Sequence, residues 1–367
     1  MPFNQQAMKK RRYTIITGTG SYIPPKKVSN EEFLENLFYS AEGKKIESPT
    51  DDIIAKFEDI TGIRERRYAD DNLVTSDLAF FAAQEALNSS NTDKESLDYI
   101  IVAHNFGDVR ANRKWSDFVP SLAARVKKKL GIENPKTIAY DLIFGCPGWL
   151  QGVIQADYFL KSGDANKALV IGAETLSRIA DPHDRDSMIY SDGAGAILLE
   201  SVVSKKPVGI VSHSTRSDTL EYVEMLRMDK SYNPEYSGSE LFIKMNGRKL
   251  YEYALKTVPQ VVKDAIEKAK LILNDISKVL IHQANEKMDE AILQRVFRLF
   301  GENIIPKNIM PMILSQYGNN SVATLPTLLD LILKGKLPYH HFYRDDYLAF
   351  ASVGAGMNIN SFIYRVP

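Results

Sequence analysis

The chain has 367 residues, and its 46 basic and 46 acidic side chains give a formal net charge of zero. Its composition, 44% hydrophobic and 25% charged, excludes global disorder and fits two globular domains or one large one. A neutral balance gives no electrostatic support for nucleic acid as the main partner. No apolar run approaches the roughly 18 residues of a membrane span, so we expect no membrane segment. Because residues 1–12 lack the apolar segment of a signal peptide, we expect a cytoplasmic protein.

Apolar runs typical of buried strands alternate with helical patterns along the chain. The strands are predicted at 13–18, 97–104, 138–142, 168–172, 194–199, 278–282 and 347–353. The helices are predicted at 75–87, 120–130, 149–161, 251–273, 288–300 and 322–333. This alternation predicts an α/β fold with largely parallel sheets, while the polar segment 36–50 indicates an insertion or lid.

The second half of the chain repeats the pattern of the first, although weakly. A helix leads to the apolar run 97–105 in the first half and to 276–285 in the second, where His282 ends the predicted strand. Further on, Cys146 and Asn319 each follow a glycine and precede a helix. Because equivalent turns of a duplicated unit meet about a pseudo-two-fold axis, these residues are expected to share one site.

The repeat also predicts two domains. Polar residues replace the apolar periodicity near 205–240, so the boundary is placed there. The N-terminal half, 1–205, carries Cys146, and the C-terminal half, 206–367, carries His282 and Asn319.

Cys146 is the single cysteine, which excludes an intramolecular disulfide and a multi-cysteine metal site. It is either a buried small hydrophobe, as free cysteines often are, or a reactive thiol. Glycine precedes it and Pro-Gly follows, which indicates a sharp turn from a strand into a helix. A thiol at a helix N-terminus is expected to have a lowered pKa, so this context favours a nucleophile.

Two further residues and one turn are candidates for the same site. His282 ends a buried strand and has a hydrogen-bonded core histidine as its alternative; His104, at the repeat-equivalent position, is such a structural histidine. Asn319 is alternatively an ordinary turn leading to a helix N-cap. The glycine turn 353–357 lacks a dinucleotide fingerprint but fits a backbone donor to an oxyanion.

With Cys146, His282 and Asn319 in this order, the chain resembles the thiolase superfamily, and within it β-ketoacyl-acyl-carrier-protein synthase III. The motifs that carry the resemblance are TGIRERR at 61–67, DPHDR at 181–185, DGAGA at 192–196, HQAN at 282–285 and GN at 318–319. It implies a thiolase-like duplicated α/β unit, layered α-β-α-β-α, with two mixed sheets.

The resemblance also implies a chemistry. Cys146 takes up an acyl group, and a malonyl- or β-ketoacyl-carrier thioester then undergoes decarboxylative Claisen condensation with it. His282 and Asn319 bind the thioester carbonyl, and the N–H groups of Cys146 and Ala355 form the oxyanion hole. No metal and no organic cofactor is expected, because the thioester supplies the activation.

Partners and substrate contacts follow from the same resemblance. The primer is an acyl-CoA or acyl-carrier thioester, and a homodimer is expected in which Phe118 or Val119 forms a wall of the acyl pocket. An acyl carrier protein is expected to dock on Lys287 and Arg295. The remaining substrate-binding assignments are Lys56, Arg185 and Gly247.

Departures from the family pattern bear on the substrate. Members that use acetyl-CoA hold the nucleotide with a tryptophan and an arginine at the positions of Lys56 and Ile60, whereas Arg185 matches the family. Together with extra length at 36–50 and 212–240, this indicates a specialised fatty acid, polyketide or resorcinol-type pathway.

Two other functions stay open. The fold also suits an acyltransferase that moves an acyl group to an oxygen or nitrogen nucleophile without decarboxylation. It also suits a non-catalytic acyl-binding subunit of a heteromeric synthase. A degradative thiolase is excluded, because it needs a second cysteine.

Overall fold

The computed structural model describes residues 10–367. The expectation that residues 1–12 lack a signal-peptide segment falls mainly on residues 1–9, outside the described residues. The strands are β1 (Arg11–Tyr22), β2 (Lys26–Ser29), β3 (Glu65–Tyr68), β4 (Tyr99–Ala103), β5 (Asp108–Arg110), β6 (Arg113–Asp117), β7 (Ile138–Leu142), β8 (Lys167–Thr175), β9 (Asp192–Ser204), β10 (Gly209–Ser217), β11 (Leu226–Asp229), β12 (Phe242–Met245), β13 (Ile276–Ile281), β14 (Tyr347–Gly354) and β15 (Asn358–Arg365). The helices are α1 (Thr50–Thr61), α2 (Thr75–Ser90), α3 (Leu122–Leu130), α4 (Gly148–Ser162), α5 (Thr219–Tyr222), α6 (Gly247–Lys268), α7 (Glu286–Leu299), α8 (Leu314–Tyr317) and α9 (Thr324–Leu333). Within residues 10–367, none of the helices is both long and apolar enough to cross a membrane.

Two sheets form the centre of the molecule, and their strand orders correspond. The first sheet has the order β1-β9-β8-β4-β7 and the second the order β10-β15-β14-β13. In both, the first two pairings are antiparallel and the next is parallel. The pattern seen in the sequence is therefore a repeat of one sheet topology, with β7 as an additional edge strand in the first sheet.

The expectation of largely parallel sheets is wrong, since each sheet contains two antiparallel pairings. A continuous apolar run indicates burial on both faces, and it carries no information on strand direction. β15 was also missed, because its sequence NINSFIYR mixes polar and apolar residues although six of its eight positions are buried.

Helices form three layers around the two sheets. α4 and α9 lie between the sheets, where Trp149, Val153 and Leu328 pack against strands of both in one core cluster. α2 and α3 cover the outer face of the first sheet, and α6 and α7 cover that of the second. This arrangement confirms the predicted α-β-α-β-α layers with two mixed sheets. The predicted domain boundary at 205/206 falls between β9 and β10 and stays a prediction.

Candidate active site

A cavity of about 1320 Å³ lies at the carboxyl ends of the parallel strands. Cys146, His282, Asn319 and Ala355 all line it, so the structure brings together residues that stand up to 209 positions apart. His282 directly follows β13, and Ala355 directly follows β14. Ligands of α/β sheets generally bind at this edge, where loops leave the strands.

Cys146 lies in a tight turn between β7 and α4. Gly145 has φ +67°, a left-handed conformation that favours glycine, and its carbonyl accepts a hydrogen bond from Gly148 N at 2.9 Å. The helix begins at Gly148, so the turn from a strand into a helix that the sequence indicated is present.

The pKa expectation for Cys146 is wrong. Its side chain is half-buried and partly accessible from the cavity, but protein surrounds the cavity floor on which it lies. Burial raises the pKa of the thiol to about 11, although a hydrogen bond from Ser321 opposes this rise. Desolvation of the sulfur is the largest cause of this shift, and the resting group at neutral pH is the thiol.

This gives the first prediction. Alkylation of Cys146 by iodoacetamide should accelerate about tenfold for each pH unit between 7 and 10, because the thiolate is the nucleophile and its fraction rises until the pH reaches the pKa. Free cysteine, with its pKa near 8.5, is the reference and should level off earlier. A plateau already reached near pH 7 would instead support a lowered pKa and contradict this account.

The turn at Gly354–Ala355 packs directly on the backbone of Cys146. A Cβ atom added at Gly354 would lie 2.4 Å from Cys146 N, and one added at Gly145 would lie 2.6 Å from Ala355 N. Only glycine permits either approach. The backbone nitrogens of Cys146 and Ala355 therefore lie near each other beside the sulfur, where an oxyanion formed by attack on a thioester would develop.

His282 is buried, and its backbone N–H donates to Ala351 O at 2.9 Å. Burial lowers the pKa of its imidazole to about 4, so the ring is neutral at pH 7. Within the described residues Nδ1 has no hydrogen-bond partner. His104, by contrast, bonds Asp141 at 3.0 Å and accepts from Gly107 N at 3.1 Å, as a structural histidine would.

Asn319 is held by hydrogen bonds on both sides. Its backbone N–H donates to Ile189 O at 2.9 Å, and its carbonyl accepts from Ser191 N at 2.9 Å. Its Oδ1 accepts from Ser321 N at 2.8 Å, which leaves the Nδ2 amide available to a ligand in the cavity. α9 begins at Thr324, so Asn319 does not cap that helix.

The predicted substrate contacts divide into two groups. Lys56, Arg185 and Gly247 line the cavity. Phe118 and Val119 lie outside it, with 40% and 85% of their surface exposed, so their role at a partner's pocket stays a prediction.

The two predicted carrier-docking residues lie on α7. Lys287 forms an exposed ion pair with Asp59 at 2.9 Å. Arg295 donates to Leu255 O at 3.1 Å, which anchors part of its guanidinium to α6. Docking by either residue stays a prediction.

The polar segment 36–50 contributes a wall of the cavity. Tyr39, Ser40, Glu42 and Ile46 line it, and a hydrogen bond from Tyr39 N to His183 O at 2.8 Å joins this segment to the loop that carries Arg185.

Three polar residues beside Cys146 were missed in the sequence: Asn105, Glu174 and Ser321. The available signal was Glu174, an acidic residue that directly follows the apolar run 168–173 near the end of β8. Asn105 and Ser321 line the cavity with Cys146, but Asn105 lies in a loop and Ser321 begins a short 3-10 turn, and the sequence pattern assigns neither a partner.

Comparison with known proteins agrees with this geometry. The fold matches 3-oxoacyl-[acyl-carrier-protein] synthase III from Aquifex aeolicus VF5, with TM-score 0.76, 28% identity, and coverage of 96% of this chain and 99% of that one. A β-ketoacyl-[acyl carrier protein] synthase III from Thermus thermophilus matches with TM-score 0.78, 28% identity and the same coverages.

Two family models match as well. The model of 3-oxoacyl-[acyl-carrier-protein (ACP)] synthase III matches residues 140–219, which include Cys146, and its C-terminal model matches 266–366, which include His282 and Asn319. The chain belongs to the thiolase superfamily and is of the synthase III type. It is accordingly an acyltransferase and a condensing enzyme of that type.

The fold alone also relates this synthase III-type enzyme to a third structure. The priming β-ketosynthase from the R1128 polyketide biosynthetic pathway matches with TM-score 0.78 and 24% identity, covering 98% of this chain and 97% of that one.

Proposed function

We propose that this condensing enzyme carries an acyl group on Cys146 and extends it by decarboxylative condensation with a malonyl-carrier thioester in a specialised fatty acid, polyketide or resorcinol-type pathway. One observation carries the proposal. Cys146, a neutral His282 and the Asn319 amide line a single cavity, and the Ala355 turn packs on the Cys146 backbone.

In the first half-reaction the Cys146 sulfur bonds to the thioester carbonyl carbon, and the N–H groups of Cys146 and Ala355 stabilise the oxyanion. The bond from that carbon to the donor's sulfur then breaks, and the donor leaves as a thiol with the proton that Cys146 gave up. The raised pKa of Cys146 means that this proton transfer accompanies the attack rather than preceding it. Neutral His282 is a suitable transient acceptor.

In the second half-reaction His282 and Asn319 donate hydrogen bonds to the carbonyl oxygen of the malonyl thioester. As the bond to the carboxylate breaks and carbon dioxide leaves, the negative charge moves to that oxygen, where both donors stabilise it. The enolate carbon then bonds to the acyl carbon on Cys146. The thiolate that leaves takes up one proton, which balances the loss of carbon dioxide from a carboxylate.

The cavity supports a primer larger than acetyl. Its volume, about 1320 Å³, exceeds the common range for small-molecule sites, roughly 300–1,000 Å³. Lys56 and Ile60 stand where members that use acetyl-CoA have nucleotide-binding tryptophan and arginine, which favours a longer or carrier-bound acyl group. The priming ketosynthase of a polyketide pathway is one fold relative consistent with such a role.

We also propose the assembly and docking that the family implies. The partner is a second copy of the chain, with Phe118 or Val119 entering the neighbouring acyl pocket. The exposed position of Val119 suits this contact.

An acidic acyl carrier protein docks near Lys287 and Arg295 on α7, a helix whose residue Met288 lines the cavity.

Intact-mass spectrometry across a panel of acyl-CoA and acyl-carrier thioesters tests the primer. We expect one added acyl mass per chain, with faster loading from medium or long acyl chains than from acetyl-CoA, and no added mass on Cys146→Ala.

Three outcomes would point elsewhere. Preferred loading from acetyl-CoA would contradict the specialised primer. Loading followed by transfer to an oxygen or nitrogen nucleophile, without carbon dioxide release from malonyl-carrier, would identify an acyltransferase instead. Absence of loading from every donor would favour a non-catalytic acyl-binding subunit.

A further inference from the structure

Lys244 of β12 is a fully buried lysine to which the proposed mechanism gives no role. Its Nζ lies 2.5 Å from Asp181 Oδ2 and 3.2 Å from Asp184 Oδ2, and both of these carboxyl groups are buried as well. Because removing charges from water offsets much of their mutual attraction, such a cluster contributes little net stability. Its clearest effect is geometric, since it fixes β12 against residues 181–184, here called the anchoring loop.

The hairpin formed by β11 and β12 depends on attachments of this kind. In the described part of the chain its two strands pair only with each other and join neither central sheet. A two-stranded hairpin is marginally stable at best on its own. Ile243 N donates to Ile179 O at 3.0 Å, and the Ile243 side chain packs against the apolar cluster that contains Ile179. The charged cluster around Lys244 is the second attachment, and it acts on the neighbouring residue of the same strand.

The chain between β11 and β12 wraps around the same charges. Tyr232 N donates to Asp181 Oδ2 at 2.8 Å, and Lys244 Nζ lies 3.4 Å from the centre of the Tyr232 ring, where the ring attracts a cation. Ser231 Oγ donates to Asp181 Oδ1 at 2.9 Å and lies 3.1 Å from His183 Nδ1. Tyr232 lines the cavity, so these contacts set the position of part of the cavity wall.

The polar segment 36–50 is attached to the same anchoring loop from the other side. Tyr39 N donates to His183 O at 2.8 Å, and the two rings meet edge to face with 6.0 Å between their centres. A Cβ atom added at Gly43 would lie 3.7 Å from Tyr232 O, so this segment also neighbours the hairpin connection. The two segments that lengthen the chain therefore meet at the anchoring loop.

Both segments line the cavity on whose floor Cys146 lies. The first contributes Tyr39 and Ile46, and the hairpin contributes Met228 and Tyr232. We propose that Lys244 is a positioning residue that holds the two segments together as one wall, and that this wall limits by size which molecules reach Cys146. Its consequence for substrates, the selection among acyl donors, rests on the proposed function.

Size-selective alkylation of the full chain tests the proposal. Because Cys146 is the single cysteine, the mass of the adduct reports on this site alone. The rate with a bulky fluorescein maleimide is divided by the rate with iodoacetamide, so that any change in thiol ionisation affects both rates and cancels. Lys244→Met keeps the length of the side chain but removes its charge. We expect this ratio to rise at least fivefold, because a released hairpin opens the cavity to the larger reagent.

Lys161→Met is the matched control. Lys161 also pairs with a buried carboxyl group, Asp157 Oδ2 at 2.7 Å, but it lies on α4 and does not line the cavity. Its ratio should stay within twofold of wild type. An unchanged ratio in Lys244→Met would overturn the proposal, and so would an equal rise in Lys161→Met.

Ser231→Ala decides the question if Lys244→Met does not fold. This variant keeps every charge of the cluster and removes only the hydroxyl group that lies between Asp181 and His183. We expect its ratio to rise at least threefold. An unchanged ratio in Ser231→Ala would then overturn the proposal on its own.

Acyl loading followed by timed intact-mass spectrometry extends the test to substrates. In Lys244→Met, the KM for the preferred longer donor should rise about tenfold while the maximal loading rate stays within twofold, the pattern of lost binding rather than lost chemistry. An unchanged KM beside a raised alkylation ratio would overturn the selection of donors. If no donor loads the wild-type enzyme, the proposed function fails, whereas the alkylation ratios still decide the role of Lys244.

Discussion

Asn319→Asp is expected to lose decarboxylation of malonyl-carrier by at least about 100-fold while Cys146 still accepts an acyl group. The aspartate keeps the oxygen that accepts from Ser321 N, so the turn is preserved. It replaces the Nδ2 donor by an oxygen that repels the developing enolate. His282→Ala should cause a loss of the same size, because it removes the other donor to the thioester oxygen. Carbon dioxide release from radiolabelled malonyl-carrier measures the decarboxylation, and intact mass measures the loading.

His213→Gln is the matched control, since this ring lies on β10 outside the cavity. It should leave both measurements unchanged. Decarboxylation at the wild-type rate in both Asn319→Asp and His282→Ala would remove these residues from the mechanism.

Gly354→Ala is expected to abolish acyl loading and condensation together. The added methyl group would lie 2.4 Å from Cys146 N and 2.9 Å from Cys146 Cβ, so it must displace the nucleophile or the oxyanion turn. Gly354 has φ −169°, an extended conformation open to any residue, so the effect comes from lack of space. We expect a loss of at least about 100-fold in loading rate, the size seen when an oxyanion donor is removed. Intact-mass spectrometry at timed intervals measures it.

Gly335→Ala separates this effect from a general loss of stability. Gly335 is left-handed, with φ +66°, and an added Cβ there would meet no atom within 4 Å. We expect a stability loss of about 1 kcal/mol but normal loading. Normal loading in Gly354→Ala would contradict the close packing of the turn on Cys146.

The sequence was most informative where local chemistry and repetition agreed. Gly145 and the Pro-Gly pair identified the turn at Cys146, and the internal repeat identified Asn319, because these signals depend on a few neighbouring residues. The α/β class followed from the alternation of elements, whereas the five layers were implied by the resemblance to the synthase III family. Strand direction could not be predicted, because the apolar run of β9 has the same sequence pattern whether its neighbouring strands are parallel or antiparallel.

Properties that depend on three-dimensional surroundings could not be predicted in this way. In the sequence, the position of Cys146 at a helix N-terminus predicts a lowered thiol pKa. In the structure, burial of the thiol raises that pKa instead. Ser321 and Asn105 stand 216 residues apart and have no common pattern, yet they share a hydrogen bond beside the sulfur. Arg66 of the TGIRERR motif is another example, since it is fully buried and its guanidinium donates a hydrogen bond to the backbone carbonyl oxygen of Met188 at 2.8 Å.

The central claim is that an acyl group on Cys146 is consumed by a decarboxylating condensation. Its most direct test starts from enzyme that has been acylated and freed of excess donor, and adds malonyl-carrier in a single turnover. The account predicts that carbon dioxide is released, that the acyl mass leaves Cys146, and that a β-ketoacyl product appears on the carrier in equal amount. Acyl mass that stays on the enzyme while no carbon dioxide is released, or an acyl adduct that still forms on Cys146→Ala, would contradict it.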